Sequence, residues 1–515
     1  MESVESRPVI VSNRLPYVIQ RDADGCYSAT PGSGGLVAAL LPVLRDRGGS
    51  WIGWSGLGDD DDGVQRALDD ANEGAFALHA VPLSEDEVEN FYHGFANEVI
   101  WPLFHDLASL CNFAPAYWQA YLQVNRRFAK TVLEKTDDSD LVWVHDYQLM
   151  HVGAELRRGG HTGRVAFFLH IPFPPVDLFL QLPWRRAILR ALADYDLIGF
   201  QTRRDRRNFL QCLHALLPDV AVSGRGQVVK VRIGERELHV GHFPIGIDYA
   251  GVAGAAASEA VAARVRELQA LLPDRQLMLG VDRLDYTKGI PNRLLALRSA
   301  LERYPELRNR ITLIQVVVPS REPIPSYHDL RLQIEQLIGR INGEFTAPGN
   351  WVPIHYVFRS LDQLELSAYY RAASIALVTP LKDGMNLVAK EYCAASIEED
   401  CVLILSEFAG AAAQCRHGAL LVNPHDIEGT ADAIYRACRM DRAERMRRMR
   451  RMRREMQRRD VFWWVDSFLR AATLADAAGR DDLSDLVTTP VAPPCGPGPE
   501  AEAQDTPRRI ASLPD

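Results

Sequence analysis

The segment Leu277 to Gly289, with the sequence LMLGVDRLDYTKG, decides the fold class of this 515-residue chain. A run of mostly apolar residues ends at Val281 and is followed at once by charged residues that include Arg283 and Lys288. A short apolar run bounded by polar residues predicts a buried strand, and open α/β sheets bind their ligands at the carboxyl ends of such strands. The segment therefore predicts an α/β protein.

Short apolar runs alternate with longer helix-period segments along most of the chain, which is the pattern of stacked β-α-β units with parallel sheets. Strands are predicted at residues 8–12, 141–145, 165–170 and 196–200, and later at 277–281, 312–318, 375–378 and 402–406. A polar turn region at 246–254 and a helix at 255–272 separate the two groups. We therefore place a domain boundary near residue 248.

The composition excludes several classes of protein. With 47% hydrophobic and 24% charged residues the chain is neither fibrous nor wholly disordered, and no apolar run approaches the roughly 18 residues of a membrane span. The acidic N-terminus lacks the features of a signal peptide, and the eight cysteines form no Cys-x-x-Cys pair, which favours reduced thiols in the cytoplasm. The net charge of −9 argues against nucleic acid as the main partner.

Charged residues follow two strands of the second group. Arg283 and Lys288 could neutralise a diphosphate, and Asp383 and Glu391 could accept hydrogen bonds from sugar and ribose hydroxyls. Surface salt bridges and helix capping are the structural alternatives. The small-residue loop 32–35 could present backbone amides to an anion or could be a plain tight turn.

Further candidates follow strands of both groups. His170 ends a strand before a proline-rich turn, and Arg14 and Arg321 each follow a strand, where their guanidinium groups would suit a phosphate. The aromatic segment 91–97, with Trp101 beyond it, could equally serve as core packing. Separately, these residues do not define a site.

The arginine-rich stretch 440–459 carries methionines at positions 446, 449, 452 and 456. Their spacing of three to four residues predicts one apolar helix face, with the arginines on a solvated face. An RNA-binding role is the alternative, and it predicts salt-sensitive retention of nucleic acid.

Taken together, these motifs resemble the trehalose-6-phosphate synthase family of retaining glucosyltransferases over about residues 8 to 475. The resemblance is carried by the segments 143–147, 168–175, 283–289, 339–343 and 383–392. It implies a GT-B fold, in which two Rossmann-like domains face each other across a cleft. The implied divisions are an acceptor domain at 1–248, a nucleotide-sugar domain at 249–459, a helix at 460–478 that returns to the first domain, and a disordered tail at 479–515.

The resemblance also implies roles for individual residues. The catalytic group would be Arg283, Lys288, His170 and Asp383. At the donor, Gly34 and Gly35 would face the diphosphate, and Arg283 and Lys288 would hold it. The glucose would be bound by Asp383, by His170 and by the backbone at Asn386, Leu387 and Val388. Glu391 would bind the ribose. The acceptor phosphate would be clamped by Arg14, Tyr92, Trp101 and Arg321, and its sugar contacted by Trp54 and Asp146.

The implied reaction is transfer of glucose from a nucleotide diphosphate glucose, UDP-glucose by preference, to glucose 6-phosphate with the anomeric configuration kept. We expect no metal and no cofactor, because the two cations and helix amides can stabilise the departing diphosphate. A homo-oligomer, either a dimer or a tetramer, is expected from the same resemblance. No nucleic acid or membrane is expected as a partner.

Two alternatives stay open at this stage. Glucosylglycerol-phosphate synthase shares many of these motifs but uses ADP-glucose and glycerol 3-phosphate. The loop 33–36 and the triplet 320–322 favour the trehalose branch, whereas the arginine-rich segment 199–209 leaves the acceptor undecided. A non-catalytic subunit of a synthase complex is the other alternative, although Arg283, Lys288, Asp383 and Glu391 are all present.

Overall fold

The computed structural model describes residues 7–22, 26–32, 35–58, 62–72, 76–320, 324–346 and 351–474. Its strands are β1 (Pro8–Arg14), β2 (Tyr17–Arg21), β3 (Tyr27–Pro31), β4 (Ser50–Trp54), β5 (Ala77–Ala80), β6 (Leu141–His145), β7 (Arg164–Leu169), β8 (Leu197–Phe200), β9 (Val220–Ser223), β10 (Val228–Ile233), β11 (Arg236–His242), β12 (Gln276–Arg283), β13 (Ile311–Val318), β14 (Ile354–Phe358), β15 (Ile375–Val378), β16 (Val402–Ser406) and β17 (Leu420–Val422).

The α-helices are α1 (Gly35–Arg47), α2 (Asp62–Asn72), α3 (Glu85–Glu87), α4 (Trp101–Phe104), α5 (Pro115–Lys135), α6 (Val152–Arg158), α7 (Val176–Phe179), α8 (Arg185–Ala193), α9 (Arg203–Leu216), α10 (Tyr249–Ala257), α11 (Glu259–Leu271), α12 (Ile290–Arg303), α13 (Pro325–Phe345), α14 (Gln363–Ala372), α15 (Leu387–Ala395), α16 (Ala412–Cys415), α17 (Ile427–Arg439), α18 (Arg442–Arg458) and α19 (Val461–Leu474). A π-helix, Val88–Ile100, precedes α4. No helix in these ranges has the length and apolarity that crossing a bilayer requires.

Two large sheets organise the chain. The first has the order β5-β4-β1-β6-β7-β8-β11-β10-β9, and only its last two pairings are antiparallel. The second has the order β14-β13-β12-β15-β16-β17 and is parallel throughout. We call the first sheet with the helices packed on it the first half, and the second sheet with its helices the second half. All eight strands predicted from the sequence are confirmed within these sheets.

Both faces of each sheet are buried, which explains why the strands are continuous apolar runs. In β1 the side chains of Val9 and Val11 enter one core cluster and Ile10 enters the other. In β12 Met278 and its neighbours Leu277 and Leu279 divide in the same way between the two cores of the second half. This alternation fixes the register and so fixes which residues emerge at the carboxyl edges.

The connection between the sheets differs from the prediction. The expected turn region at 246–254 contains the start of α10, because the Asp248 carboxylate accepts a hydrogen bond from the Gly251 amide at 2.8 Å and caps the helix. The predicted single helix at 255–272 is two helices, because Ser258 is extended and caps α11.

The last two helices pack on different halves. On α18 the side chains of Met449, Met452 and Met456 are buried in the second half, which confirms the predicted methionine face, while Met446 is half-buried. On α19 the Trp464 indole donates to the Phe243 carbonyl at 3.1 Å, and the helix joins a core cluster of the first half. The domain boundaries themselves stay a prediction, and the tail at 479–515 lies outside the described residues.

Candidate active site

The loops at the carboxyl edges of the two sheets contact each other. A Cβ built on Gly384, in the loop after β15, would lie 2.2 Å from the His170 carbonyl oxygen, in the loop after β7. The Arg283 guanidinium lies 6.0 Å from the Trp101 ring centroid, and the Lys390 ammonium donates to the Ile245 carbonyl. Residues separated by hundreds of positions therefore line one cleft.

Lys288 and Asp383 form an ion pair at the edge of the second sheet. The Lys288 ammonium lies 2.5 Å from Asp383 Oδ2, and both side chains are nearly buried. Burial alone would raise the pKa of Asp383, but Lys288 and the Met385 amide outweigh it, so the pKa is lowered. The carboxyl group is therefore ionised and ready to accept hydrogen bonds from hydroxyl groups.

The loop after Asp383 leads into the N-terminus of α15. Asn386 has a left-handed backbone with φ +62°, and its side chain caps the helix by accepting from the Ala389 amide at 3.1 Å. Its amide nitrogen donates to Asp383 Oδ2 at 3.3 Å. The helix thus points its amino end, at Leu387 and Val388, toward the same cleft, where backbone N–H groups favour an anion.

Arg293 joins the two loops that carry these residues. It lies on α12, and its guanidinium donates to Asp282, to Gln315 Oε1 at 3.1 Å and to Thr379 Oγ1 at 3.0 Å. Asp282 immediately precedes Arg283, and Thr379 begins the loop to Asp383. This buried network therefore fixes the distance between the Arg283 loop and the Asp383 loop.

Glu391 lies one turn further along α15. Its Oε2 accepts a hydrogen bond from the Tyr370 hydroxyl at 2.9 Å, and burial raises the pKa of this carboxyl. The second oxygen remains available for a ribose hydroxyl in the role that the family resemblance implies.

Aromatic rings lie beside the Arg14 guanidinium at the carboxyl edge of the first sheet. The Arg14 guanidinium, at the end of β1, lies 3.8 Å from the centroid of Trp54, at the end of β4. The Trp54 ring in turn lies 6.2 Å from Tyr92, and the Trp54 indole donates to the Leu57 carbonyl at 2.9 Å. These contacts place three of the predicted acceptor residues in one cluster.

Trp101 is the first residue of α4. The centroid of its ring lies 4.3 Å from that of the His105 ring, with the ring planes tilted by 36°, and the His105 Nδ1–H donates to the Trp101 carbonyl at 2.7 Å. Burial lowers the pKa of His105 to about 4, and Asp285, Lys288 and Asp383 lie close enough to influence it. A neutral histidine that the sequence analysis did not single out therefore faces the donor side of the cleft.

A chain of hydrogen bonds fixes the tautomer of His170. The Ile245 amide donates to Gln201 Oε1 at 2.9 Å, so the Gln201 amide nitrogen faces His170 Nδ1 at 3.2 Å. Since an amide nitrogen can only donate, Nδ1 accepts and the ring proton lies on Nε2, which donates to His145 Nδ1 at 3.0 Å. Burial lowers the pKa of His170 to about 3, so the ring is neutral.

Both ring nitrogens of His170 are thus engaged within the protein, and a hydrogen bond to a sugar hydroxyl would have to replace one of them. The backbone amide of His170 donates to Asp146 Oδ1 at 3.2 Å, which ties two predicted site residues together. Asp146 has φ +73° and ψ 170°, a backbone conformation that residues other than glycine seldom adopt, and its short side chain reaches this amide.

Most of the predicted site residues therefore converge on one cleft. Gly34 and Arg321 lie outside the described residues, and Gly35 is the first residue of α1. Sequence reasoning missed Gln201, His105 and Arg293. Gln201 follows β8 directly, as His170 follows β7, so its position was a usable signal. An arginine on a helix, such as Arg293, carries no comparable signal.

Comparisons with known proteins agree with this geometry. The model of Glycosyltransferase family 20 matches residues 6–473. The chain is 42% identical to the trehalose-6-phosphate synthase of Mycolicibacterium smegmatis over 502 residues, which is 96% of each protein.

Solved structures are similar over the same extent. A crystal structure of an alpha,alpha-trehalose-phosphate synthase (UDP-forming) from Burkholderia xenovorans, in complex with glucose-6-phosphate, matches with a TM-score of 0.82 and 35% identity, over 91% of this chain and 100% of that one. A structure from E. coli bound with UDP-2-fluoro glucose matches with a TM-score of 0.82 and 37% identity, over 92% and 100%.

Proposed function

The chain belongs to glycosyltransferase family 20, and on that premise we propose that it transfers glucose from UDP-glucose to glucose 6-phosphate and releases trehalose 6-phosphate and UDP. Its activity is that of a UDP-forming trehalose-6-phosphate synthase, like that of the relatives it matches over nearly its whole length. The observation that carries the proposal is the buried Lys288–Asp383 pair beside the N-terminus of α15, at an edge that faces the Arg14 and Trp54 cluster.

The second half binds the donor. Arg283 and Lys288 contact the diphosphate, with the amides of Leu387 and Val388 at the helix N-terminus, while Asp383 accepts hydrogen bonds from the glucose hydroxyls and Glu391 from the ribose. When the donor enters, Lys288 exchanges part of its contact with Asp383 for the phosphate oxygens. The cation is already in place and desolvated, so little reorganisation is needed as charge grows on the leaving group.

The first half binds the acceptor. Arg14, held over Trp54, meets the 6-phosphate together with Tyr92 and Trp101, and Asp146 contacts the sugar. Arg321 is proposed for the same phosphate from its place after β13 in the sequence. A cation stacked on an aromatic ring keeps its donors directed outward, which suits a phosphate.

The reaction breaks the bond between the glucose anomeric carbon and the diphosphate and forms one to the anomeric oxygen of glucose 6-phosphate. The acceptor proton moves to a phosphate oxygen of the leaving UDP, so no protein nucleophile is required. Because UDP-glucose and the α,α-linked product share the α configuration, the anomeric configuration is kept. The contacts between Gly384 and His170 close the cleft over these atoms and exclude water, which would otherwise hydrolyse the donor.

The test is release of nucleoside diphosphate by the purified protein, with UDP-, ADP- and GDP-glucose each offered with glucose 6-phosphate or glycerol 3-phosphate. Turnover of UDP-glucose with glucose 6-phosphate is expected. Turnover with glycerol 3-phosphate alone would overturn the acceptor assignment and indicate the glucosylglycerol branch. Absence of turnover with every pair would favour a non-catalytic subunit.

Two features of the whole protein are part of the proposal. A dimer or tetramer is proposed, and sedimentation velocity would measure it. A cytoplasmic location is supported by the seven cysteines within the described ranges, all of which are free thiols.

A further inference from the structure

An ion pair that neither the family resemblance nor the site assignment includes joins the two halves beside the active site. The Lys382 ammonium, in the loop after β15, contacts Asp106 Oδ2, just after α4. The two residues are 276 positions apart in the sequence. The pair therefore forms only when the two sheet edges are brought together.

The two partners are buried to different extents. The Lys382 side chain is 11% exposed and that of Asp106 is 42% exposed. Burial lowers the pKa of Lys382, whereas Asp106 opposes this effect, and Arg204 and Asp205 on α9 also face the ammonium. A buried ammonium that loses a carboxylate partner keeps an uncompensated part of its desolvation cost, and Asp106 is the carboxylate in direct contact with Lys382.

Each partner is next to a residue of the proposed active site. Lys382 directly precedes Asp383, the carboxylate assigned to the donor glucose. Asp106 directly follows His105, whose Nδ1–H donates to the carbonyl of Trp101, an assigned acceptor residue. The Asp106 backbone is left-handed, with φ +63°, in the turn that follows α4, and its carboxylate contacts the Lys382 ammonium.

We propose that Asp106 is a positioning residue: it holds Lys382, and through it the Asp383 loop, against the acceptor half, so that the donor glucose is aligned only in the closed cleft. The inference rests on the proposed function. Asp106 touches neither substrate. Its effect comes through the Asp383 backbone, where a displacement of about 1 Å can cost about 10²-fold in rate.

This role predicts a specific kinetic pattern. Most residues assigned to UDP, namely Arg283, Lys288, Leu387, Val388 and Glu391, lie in the second half, so loss of the pair leaves the Kd of UDP within about twofold. The kcat for transfer falls by about tenfold or more, because the donor glucose is no longer held against the acceptor. Water then competes better, and the share of UDP release that yields free glucose rises.

The experiment compares the full-length protein with the variants Asp106→Asn, Asp106→Glu, Lys382→Gln and the double variant Asp106→Asn/Lys382→Gln. UDP affinity is measured by calorimetry, and UDP release and free glucose by coupled assays. The expected result is the kinetic pattern above for Asp106→Asn and for Lys382→Gln, no further loss in the double variant, and rescue to within about threefold by Asp106→Glu. The control variant Glu335→Gln removes an exposed ion pair within α13 and should match the wild type.

Three results would overturn the inference alone while the wild type turns over: an unchanged kcat and glucose share in Asp106→Asn, a weakening of UDP binding equal to the loss of kcat, or additive losses in the double variant. A wild type that releases no UDP with glucose 6-phosphate would instead overturn the proposed function, and this inference with it. Melting temperatures measured on the same samples separate these outcomes from unfolding.

Discussion

The two sheet edges that meet in the cleft keep their buried polar groups in different states. Within the described ranges, every buried histidine packs in the first half, namely His105, His145, His151, His161 and His170. The buried lysines and arginines of the same ranges all lie in the second half, namely Arg293, Lys382 and Lys390. At the carboxyl edges themselves, the first sheet carries the neutral rings of His145 and His170, and the second carries the ion pair of Lys288 and Asp383.

The difference suits the ligands proposed for each edge. A buried ring that stays neutral avoids the cost of a desolvated charge, and with a fixed tautomer it can still donate to a neighbour, as His170 donates to His145. A buried ion pair such as Lys288–Asp383 keeps two charges poised in a low dielectric, where they act strongly on a ligand. In the proposed function, the second edge thus suits the charged leaving group, and the neutral His170 of the first edge suits the uncharged donor glucose.

The pH dependence of the free energy of unfolding is the sharpest test of this contrast, because buried neutral histidines gain protons at acidic pH when the chain unfolds. Burial lowers the pKa of His105 and His151 to about 4 and that of His170 to about 3, from 6.5. Between pH 6.5 and 4 the unfolded chain therefore binds more protons than the folded chain. The contribution of these rings to the free energy of unfolding is complete above pH 6.5 and decreases as the pH falls below it. Each ring should cost about 2 kcal/mol at pH 5, or about 6 kcal/mol for the three.

Urea unfolding at pH 8 and pH 5 measures this loss, with tryptophan fluorescence reporting mainly on the first half. The variant His151→Gln should reduce the difference between the two pH values by about 2 kcal/mol. The matched variant His425→Gln changes an exposed histidine of the second half and should leave the difference unchanged. If the fluorescence transition gives the same free energy of unfolding at pH 8 and pH 5, the contrast between the edges is wrong.

In the second half, the largest expected effect comes from Arg293→Met. The Arg293 side chain is fully buried and pairs with Asp282. The variant therefore leaves a buried carboxylate unpaired and should lower the free energy of unfolding by about 3–5 kcal/mol. Arg298→Met, on the same helix, breaks a half-exposed pair with Glu344 and should cost less than about 1 kcal/mol. Equal losses in the two variants would show that the buried network does not stabilise this edge.

Lys288→Gln tests the chemical role of the donor edge. The variant removes a cation assigned to the departing diphosphate, and kcat for UDP release should fall by about 10² to 10³. Lys230→Gln, which removes an exposed lysine paired with Glu237 on the first sheet, should leave kcat unchanged. A fall of less than about threefold in Lys288→Gln would remove Lys288 from the catalytic group.

The residues at the sheet edges were predicted well from the sequence, because they directly follow the ends of apolar strands. The apolar run before Asp282 and the run before Thr379 placed Arg283, Lys288 and Asp383 at one sheet edge, and the structure has them there. The distinction between the two halves was not predictable in the same way. Whether a histidine is neutral or an arginine is buried depends on which core surrounds it, and neither property has a local pattern.

Ion pairs between the two halves could not be predicted from the sequence either. Asp106 and Lys382 are each ordinary polar residues in loops, and only the meeting of the two halves makes them partners. Likewise, Asp248 and Ser258 are common residues whose capping of α10 and α11 broke the predicted turn and helix. In both cases the deciding contact is a side-chain hydrogen bond or ion pair that composition and periodicity do not report.

The smallest effect expected here tests whether the two edges must touch. A methyl group added by Gly384→Ala would meet the His170 carbonyl oxygen at 2.2 Å and the Ile171 Cα at 2.8 Å. Both are backbone atoms, so the clash of about 1–3 kcal/mol is relieved only if the halves separate, and kcat for transfer should fall by about 10- to 100-fold. UDP affinity should change little, because the donor edge itself stays intact.

Gly339→Ala is the matched control, since a Cβ at this exposed position on α13 meets nothing within 4 Å. It should leave kcat unchanged and raise the free energy of unfolding by about 0.5–1 kcal/mol. If Gly384→Ala keeps the wild-type kcat, the reaction does not need the contact between Gly384 and His170, and the closed cleft is one arrangement among several in which transfer occurs. If kcat falls while UDP binding persists, the neutral edge and the charged edge work only as a pair.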